Sequence, residues 1–315
     1  MKRLVTLLTA LMCTLIILVF LFAEEARRPF EQLFDHGVTI VHDVLDDVVI
    51  PPQDEPEAEA VPEEIPEPAD IKTQKYPYYT MLNDRQKTVY INALDCINAL
   101  DKSFVPAAEI RSDEIKEALE AVYYDHPELF WMDTGFSYSY NDQGMCVEVF
   151  PEYNSTADDI RYSKGLFNEQ ADAVIREAEL YETDYEKELF VHDRLLELIE
   201  YDENCELNQS SYSAMVLHRT VCAGYARAFQ YILQELDITC YYVTGFSEGE
   251  EHAWNIVLLD DGFYNVDLTW DDSLPEKHYF FNQNEYAFSK SHEREGNSLR
   301  LPACEGTEFI WQFSY

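Results

Sequence analysis

The chain has 315 residues, with 61 Asp or Glu against 22 Lys or Arg, so its formal net charge is −39. This imbalance argues strongly against nucleic acid as a partner, because phosphate binding needs clustered basic side chains. It also disfavours adsorption to an anionic membrane surface. At 47% hydrophobic and 14% aromatic residues, the chain is too apolar to be wholly disordered. We therefore expect a folded protein with a sizeable core.

The first 23 residues predict a membrane anchor. Lys2 and Arg3 precede an uncharged run from Leu4 to Phe22, which as a helix would be roughly 28 Å long and match the hydrocarbon layer of a bilayer. A cleaved signal peptide is the alternative, although the run exceeds the usual length of a signal's apolar segment. The basic pair predicts a single-pass protein of the cell membrane with an extracytoplasmic C-terminal head, or a secreted head if the segment is cleaved.

Composition divides the rest of the chain. Pro51 to Asp70 has six prolines and eight acidic residues, a combination that keeps a chain extended and prevents the burial of apolar surface. The predicted regions are an anchor over 1–23, a juxtamembrane segment and stalk over 24–75, an N-terminal α+β extension over 76–160 and a catalytic domain over 161–315.

Periodicity predicts the elements that lead up to the catalytic segment. A helix from Leu82 to Leu100 is followed by a second that starts near Ser112 and stops at Pro127. A hairpin turning at 141–144 comes next, and then two acidic helices at about 157–180 and 185–199. His192 lies on the apolar face of the last helix and is interpreted as a core histidine rather than a ligand.

Cys222 carries the clearest chemical signal. It lies at or just inside the start of a helix, because apolar residues follow it with helical spacing. Unpaired backbone N–H groups and the helix dipole favour a negative charge there, so we expect this thiol to lose its proton readily and to act as a nucleophile. The small residues Ala223 and Gly224 are expected to leave room for a substrate backbone.

Three strands are predicted after this helix, over 240–246, 252–259 and 263–270, with a loop at 247–251 and a turn at 260–262. By parity His252 and Asp267 share one face of the hairpin. They face each other if the connection is a four-residue loop. With a two-residue turn at Asp261–Gly262, Asp267 instead opposes Ile256, roughly 13 Å from His252. A Cys-His-Asp triad therefore requires the longer loop or a bulge; otherwise these are a buried Cys, a surface His and a hairpin Asp.

Three motifs, TVCAGYARAF, EHAWN and YNVDLTWDD, together resemble the catalytic core of the transglutaminase-like superfamily. The resemblance is specific over 185–272 and extends more loosely upstream, where YYDHPELFW is similar to flanking regions of bacterial membrane-anchored members. It implies a papain-like α+β fold in which the helix bearing the cysteine packs on an antiparallel sheet bearing the histidine and the aspartate. It also implies that Cys222 is the nucleophile, His252 the base and Asp267 the orienting acid.

Two further side chains are candidates for the cleft. Tyr212 could donate a hydrogen bond to an oxyanion, although a packing role is equally open and the backbone N–H of Cys222 is the safer donor. Trp254 could line the cleft, although aromatic residues on a hairpin more often belong to the core. Neither His278 nor His292 has a metal-site spacing with Cys304, so no metal and no cofactor are predicted.

Two classes of function follow. The first is an enzyme that attacks an amide carbonyl with Cys222, forms a thioester and passes the acyl group to an amine or to water, as an acyltransferase or a cysteine peptidase. Its substrate would be a peptide or protein, with cell-envelope material as one candidate. The second is a non-catalytic cell-surface binding module that uses the same cleft. Selective labelling of Cys222 by a thiol probe would distinguish them.

Overall fold

A computed structural model describes residues 75–112 and 114–312. The predicted anchor, and the predicted stalk up to residue 74, lie outside the described residues. Across 75–112 and 114–312, none of the helices combines the length and the apolar character that crossing a bilayer requires.

The described residues alternate between helices and strands, and the predicted α+β class is confirmed. The helices are α1 Pro77–Met81, α2 Asp84–Ala99, α3 Ile115–Asp125, α4 Ile160–Ala178, α5 Asp184–Leu198, α6 Cys222–Glu235, α7 Leu268–Ser273 and α8 Glu285–Phe288. The strands are β1 Met132–Tyr140, β2 Cys146–Tyr153, β3 Glu200–Tyr201, β4 Arg219–Thr220, β5 Cys240–Ser247, β6 Glu250–Leu259, β7 Gly262–Val266 and β8 His292–Arg294. All four predicted helices upstream of Cys222 form within a few residues of their expected limits.

A four-stranded antiparallel sheet supports the second half of the chain, with the strand order β7-β6-β5-β8. Helix α6 packs against β5 and β6, and its apolar face is fully covered. Residues Ala226, Phe229, Ile232 and Leu233 form that face. The packing of α6 on the sheet thus fixes the position of Cys222, the first residue of α6, relative to β6, the strand that bears His252.

The turn between β5 and β6 is tighter than the predicted loop over 247–251. Ser247 pairs with Glu250, which leaves only Glu248 and Gly249 in the turn, and both have positive φ angles of 53° and 88°. Two consecutive residues with positive φ form the turn whose twist matches antiparallel strands. Toward the hairpin tip, β5 is therefore one residue longer and β6 two residues longer than the sequence pattern indicated.

A buried arginine connects α6 to the N-terminal extension. Arg227 is 1% exposed, and its guanidinium donates to the carbonyl oxygens of Tyr123 and His126 at the end of α3. The same group lies 3.9 Å from the centre of the Tyr123 ring. A cation at this position neutralises carbonyl groups that the end of a helix leaves without partners.

The carboxyl group of Glu188 on α5 is a buried titratable group away from the predicted catalytic residues. Its Oε2 accepts a hydrogen bond of 3.0 Å from the Asn282 side chain, whereas Glu188 Oε1 and Asn282 Oδ1 have no partner within 75–112 and 114–312. Burial raises the pKa of Glu188 to about 8, although Asn282 and His192 act in the opposite direction. The protonated form therefore stabilises the folded state at low pH, and this stabilisation is lost as the pH rises from about 4.3 through 8.

We expect Glu188→Gln to raise the melting temperature relative to wild type at pH 9, by several degrees, and to change it little at pH 5. The amide cannot ionise, and its N–H can turn to the unpaired oxygen of Asn282. Thermal unfolding followed by circular dichroism at the two pH values measures the effect, with Glu197→Gln at an exposed position of the same helix as the control. An equal shift at both pH values would show that ionisation of Glu188 is not the cause.

Candidate active site

Cys222 is the first residue of α6, as the sequence predicted. The residue before the helix, Val221, provides no side-chain hydrogen bond to the first backbone N–H groups. The thiol is partly exposed and lies at the edge of a small cluster formed by Ala223, Ala226, Tyr242 and Ala253. A negative charge on the sulfur would thus face helix N–H groups that no capping side chain occupies.

Gly224 serves packing, and the expectation that it leaves room for a substrate backbone is wrong. A Cβ at this position would lie 1.8 Å from the Oγ1 of Thr220 and 3.0 Å from the carbonyl oxygen of Ser210. The Thr220 hydroxyl is itself fixed by hydrogen bonds of 2.7 Å to Ser213 and Asn208. The absence of a side chain at Gly224 therefore lets β4 and the segment before it lie close to the start of α6.

His252 and Asp267 come together through a register that the sequence analysis did not consider. Leu259 pairs with Gly262, so the turn is two residues long; the paired positions continue to Asn255 and Val266. Extended by one position, that register sets Asp267 beside residue 254, diagonally across from His252 on the same face. Diagonal neighbours are separated by about 7–8 Å between backbones and are within side-chain reach. His252 Nε2 lies 2.7 Å from Asp267 Oδ2, without a four-residue loop.

The predicted strand over 263–270 is wrong in its second half. Strand β7 ends at Val266, and Asp267 caps helix α7 by accepting a hydrogen bond of 3.1 Å from the backbone N–H of Trp270 to its Oδ1. Asp is among the residues preferred at this position, because its carboxylate satisfies an unpaired helix N–H. The cap fixes one carboxylate oxygen and leaves Oδ2 for the histidine.

The electrostatics of the pair favour a charged His252. Burial alone would lower the pKa of His252, but the charge and hydrogen bond of Asp267, together with a hydrogen bond from Cys222, raise it to about 10. Burial opposes ionisation of Asp267, and His252 and His292 outweigh it, so that the pKa of this carboxyl is held well below its usual range. Near neutral pH the pair is therefore an imidazolium and a carboxylate.

Cys222 also contributes to the raised pKa of His252, which places the sulfur near the imidazole. Because the Nε2 atom of His252 is held by Asp267, the Nδ1 atom is the one left to face the sulfur. The His252–Asp267 hydrogen bond and the nearby sulfur thus bring together the three residues that the sequence singled out.

His292 is the residue that the sequence analysis did not assign to the site. Its Nε2 lies 3.0 Å from the same Oδ2 atom of Asp267 that His252 contacts, and its side chain is completely buried. It lies 25 residues beyond Asp267 on the three-residue strand β8, so no local pattern marks it. The antiparallel pairing of β8 with β5, where His292 opposes Ser247, brings it to the site.

The aromatic candidates have different surroundings. Trp254 is 1% exposed, and its Nε1 donates a 3.2 Å hydrogen bond to Asn265, which supports the core position. Tyr212 packs on Phe130, with ring centres 5.1 Å apart. This contact supports the packing role of Tyr212.

Tyrosines from both halves of the chain surround the cysteine. Tyr124 of α3 packs against the cluster at Cys222 and stacks on Tyr242, with ring centres 5.4 Å apart. Burial raises the pKa of Tyr201 to about 12, and the charge of Cys222 makes the second-largest contribution. The predicted extension therefore contributes to the surroundings of the thiol.

An open apolar pocket of about 380 Å³ adjoins Trp270. The Trp270 ring lies 6.3 Å from the His252 ring, centre to centre. The pocket is lined by Trp270, Leu274, Pro275, Glu276, Tyr279 and Phe280.

Two clusters in the described part of the chain have donor atoms close enough to share a metal ion. One comprises His252, Asp267 and His292, and the other His192, Asp193 and His278. Hydrogen bonds of 2.7 to 3.0 Å between the members of each cluster account for their spacing. His192 is also buried and bonded to Asp271 at 3.1 Å, which agrees with its interpretation as a core histidine.

Sequence comparison identifies the family of this region. Residues 172–268 match the transglutaminase-like superfamily, and they include the helix of Cys222 together with His252 and Asp267. Over these residues the chain is similar to the transglutaminase-like superfamily. The matched segment begins within α4 and ends at the first residue of α7, so His292 lies beyond it.

Relatives of the transglutaminase-like domain include the kyphoscoliosis peptidase of Mus musculus, 26% identical over 162 residues. That match covers 45% of this chain and 24% of the mouse protein, so the chain spans about a quarter of that relative. Among solved structures, a TGase is 16% identical over 53% of this chain and 50% of its own, with a TM-score of 0.31. A candidate cysteine protease from Cytophaga hutchinsonii is 16% identical over 42% and 61%, with a TM-score of 0.29. Both overlaps are too partial to bear on the reaction.

Proposed function

We propose that the protein is a cysteine-nucleophile enzyme that acts on amide bonds of peptides or proteins through a thioester intermediate. Cys222 is the nucleophile, His252 the acid and base, and Asp267 the residue that orients the imidazole. The observation that carries the proposal is the 2.7 Å hydrogen bond between His252 and Asp267, with the sulfur of Cys222, at the start of α6, near enough to contribute to the raised pKa of His252. A binding module has no need for a buried carboxylate that keeps a histidine charged next to a thiol.

The proposed reaction has two steps. The sulfur of Cys222 attacks the amide carbonyl and forms the C–S bond; the C–N bond then breaks, and His252 delivers its proton to the departing amine. In the second step an amine or water loses a proton to His252 and attacks the thioester, which releases the acyl group and restores the thiol. The backbone N–H groups at the start of α6 are positioned to stabilise the negative oxygen of each tetrahedral intermediate.

The apolar pocket beside Trp270 supports a peptide substrate with a hydrophobic side chain, since its lining is almost wholly apolar. We further propose that the enzyme works outside the cytoplasm, attached to the cell membrane or secreted, which depends on the sequence pattern of residues 1–23 alone. Whether the acceptor is an amine or water separates an acyltransferase from a peptidase. Incubation with a peptide library, with and without added primary amines, tests this choice.

Selective alkylation tests the nucleophile. We expect low concentrations of iodoacetamide at pH 7 to modify Cys222 at least about tenfold faster than Cys205, because only Cys222 has an imidazolium beside it. Cys205 is a matched comparison: it is also partly exposed, and burial followed by the charge of Asp202 raises its pKa. Peptide mapping by mass spectrometry gives both rates. Equal rates would favour the non-catalytic binding module.

A further inference from the structure

His292 forms a second imidazole contact with the carboxylate of the proposed active site. Asp267 Oδ2 accepts from His252 at 2.7 Å and from His292 at 3.0 Å, while Oδ1 accepts from the Trp270 backbone at 3.1 Å. A carboxylate buried this completely retains its charge only when hydrogen bonds replace its lost hydration. His292 supplies one of three such bonds.

The surroundings of His292 fix its ring and its tautomer. Its ring stacks on Phe288, with centres 3.9 Å apart and planes inclined by 23°. Its Nδ1 lies 2.9 Å from the Ser291 hydroxyl. Nε2 faces a carboxylate and must therefore carry a proton to donate to it. Nδ1 shares its hydrogen bond with the Ser291 hydroxyl, so both ring nitrogens have partners.

We propose that His292 is a positioning residue of the enzyme, which holds the Asp267 carboxylate in the orientation that keeps the His252 ring directed at Cys222. This inference rests on the proposed function and adds a fourth residue to it, without direct contact with the substrate. His292 is the first residue of the short strand β8, which contributes no other residue to the proposed site.

The titratable groups around Asp267 determine the effect of removing His292. His252 approaches from β6, His292 from β8 and Asp271 from α7, and burial together with the charge of Asp267 raises the pKa of Asp271. Without the Nε2–H of His292, burial opposes ionisation of Asp267 more strongly. The Asp267 carboxylate should then take up its proton at a higher pH, and the acid limb of the pH–rate profile should move to higher pH.

The test compares His292→Phe, which keeps the stacking on Phe288 but has no donor, with His292→Gln, whose amide can still donate. His278→Phe is the matched control, because His278 also bonds to an aspartate, Asp193, at 2.7 Å and stacks on an aromatic ring, Trp311, at 4.1 Å. The readouts are kcat and KM for a peptide amide substrate, the pH profile of Cys222 alkylation by iodoacetamide, and the melting temperature.

We expect His292→Phe to lower kcat about tenfold, with KM within a factor of about two, and to move the acid limb of alkylation to higher pH by about one unit. His292→Gln should recover most of both losses, and His278→Phe should match wild type in both. An unchanged acid limb in His292→Phe, with Cys222 still selectively alkylated in wild type, overturns the positioning role alone. If wild type does not alkylate selectively, the proposed function and this inference fall together.

If His292→Phe does not fold, an NMR spectrum of the wild-type protein tests the positioning role instead. In ¹⁵N-labelled protein, a proton on Nε2 of His292 supports the positioning role. A His292 protonated on Nδ1 alone cannot donate to Asp267 and overturns it.

Discussion

Replacing Cys222 by alanine is expected to lower amide turnover by at least about 10³-fold and to leave the fold intact. The substitution removes the sulfur of the proposed nucleophile, so no thioester can form. Alanine is the most favourable helix residue, and the partly exposed thiol lies at the edge of its cluster, so little packing is lost. The measurement is turnover of a peptide amide, with circular dichroism melting to follow the fold.

Two controls sharpen this result. Cys205→Ala removes a comparably exposed thiol elsewhere and should retain wild-type turnover. Cys222→Ser keeps the shape of the side chain but has a far weaker nucleophile, so it should remain nearly inactive and as stable as wild type. Residual turnover of Cys222→Ala above about a tenth of wild type would contradict the assignment of the nucleophile.

The second large effect concerns the pair that faces the thiol. Near pH 6, the rate of Cys222 alkylation should decrease in the order wild type, Asp267→Ala, His252→Ala. The pKa of His252 is raised to about 10, so the ring carries a positive charge at pH 6 and stabilises the reactive thiolate. Removal of Asp267 lets the ring rotate and weakens its charge, whereas removal of His252 abolishes the ion pair.

One variant separates the charge of Asp267 from its role as a helix cap. Asp267→Asn keeps a side-chain oxygen that can accept from the Trp270 backbone, but its amide cannot accept from His252 on the other side. The alkylation rate of Asp267→Asn should therefore fall as that of Asp267→Ala does, while the side-chain oxygen still caps α7. Identical rates and ordinary thiol pH profiles in all four proteins would show that His252 and Asp267 do not act on Cys222.

The sequence alone predicted elements that depend on neighbouring residues. The apolar spacing after Cys222 gave the start of α6 correctly, and the alternation around His252 gave β6. These patterns succeed because burial of one helix or strand face dictates residue types at short, regular intervals. The family resemblance added the order of the three candidate residues, which spacing alone left undecided.

Features that depend on several elements at once were not accessible from the sequence. The two hairpin registers considered for His252 and Asp267 were both wrong, because the two-residue turn falls on Asp260 and Asp261 and sets Asp267 diagonally across from His252. The assignment of Asp267 to a strand was wrong separately, since this residue caps α7. His292 was missed because its position depends on the pairing of β8 with β5, and Tyr124 because it depends on how α3 packs against α6.

The arginine that joins α6 to α3 has a consequence for the way the protein unfolds. If the N-terminal extension opened alone, the Arg227 guanidinium would lose both carbonyl partners while still attached to the helix that begins with Cys222. Tyr78 would also leave the carbonyl of Tyr242, to which it donates a bond of 2.7 Å. Opening would break these hydrogen bonds and the contact of Arg227 with the Tyr123 ring together, so partial opening is penalised. The two halves should therefore melt as one cooperative unit, and the nucleophile should never be exposed on a half-folded chain.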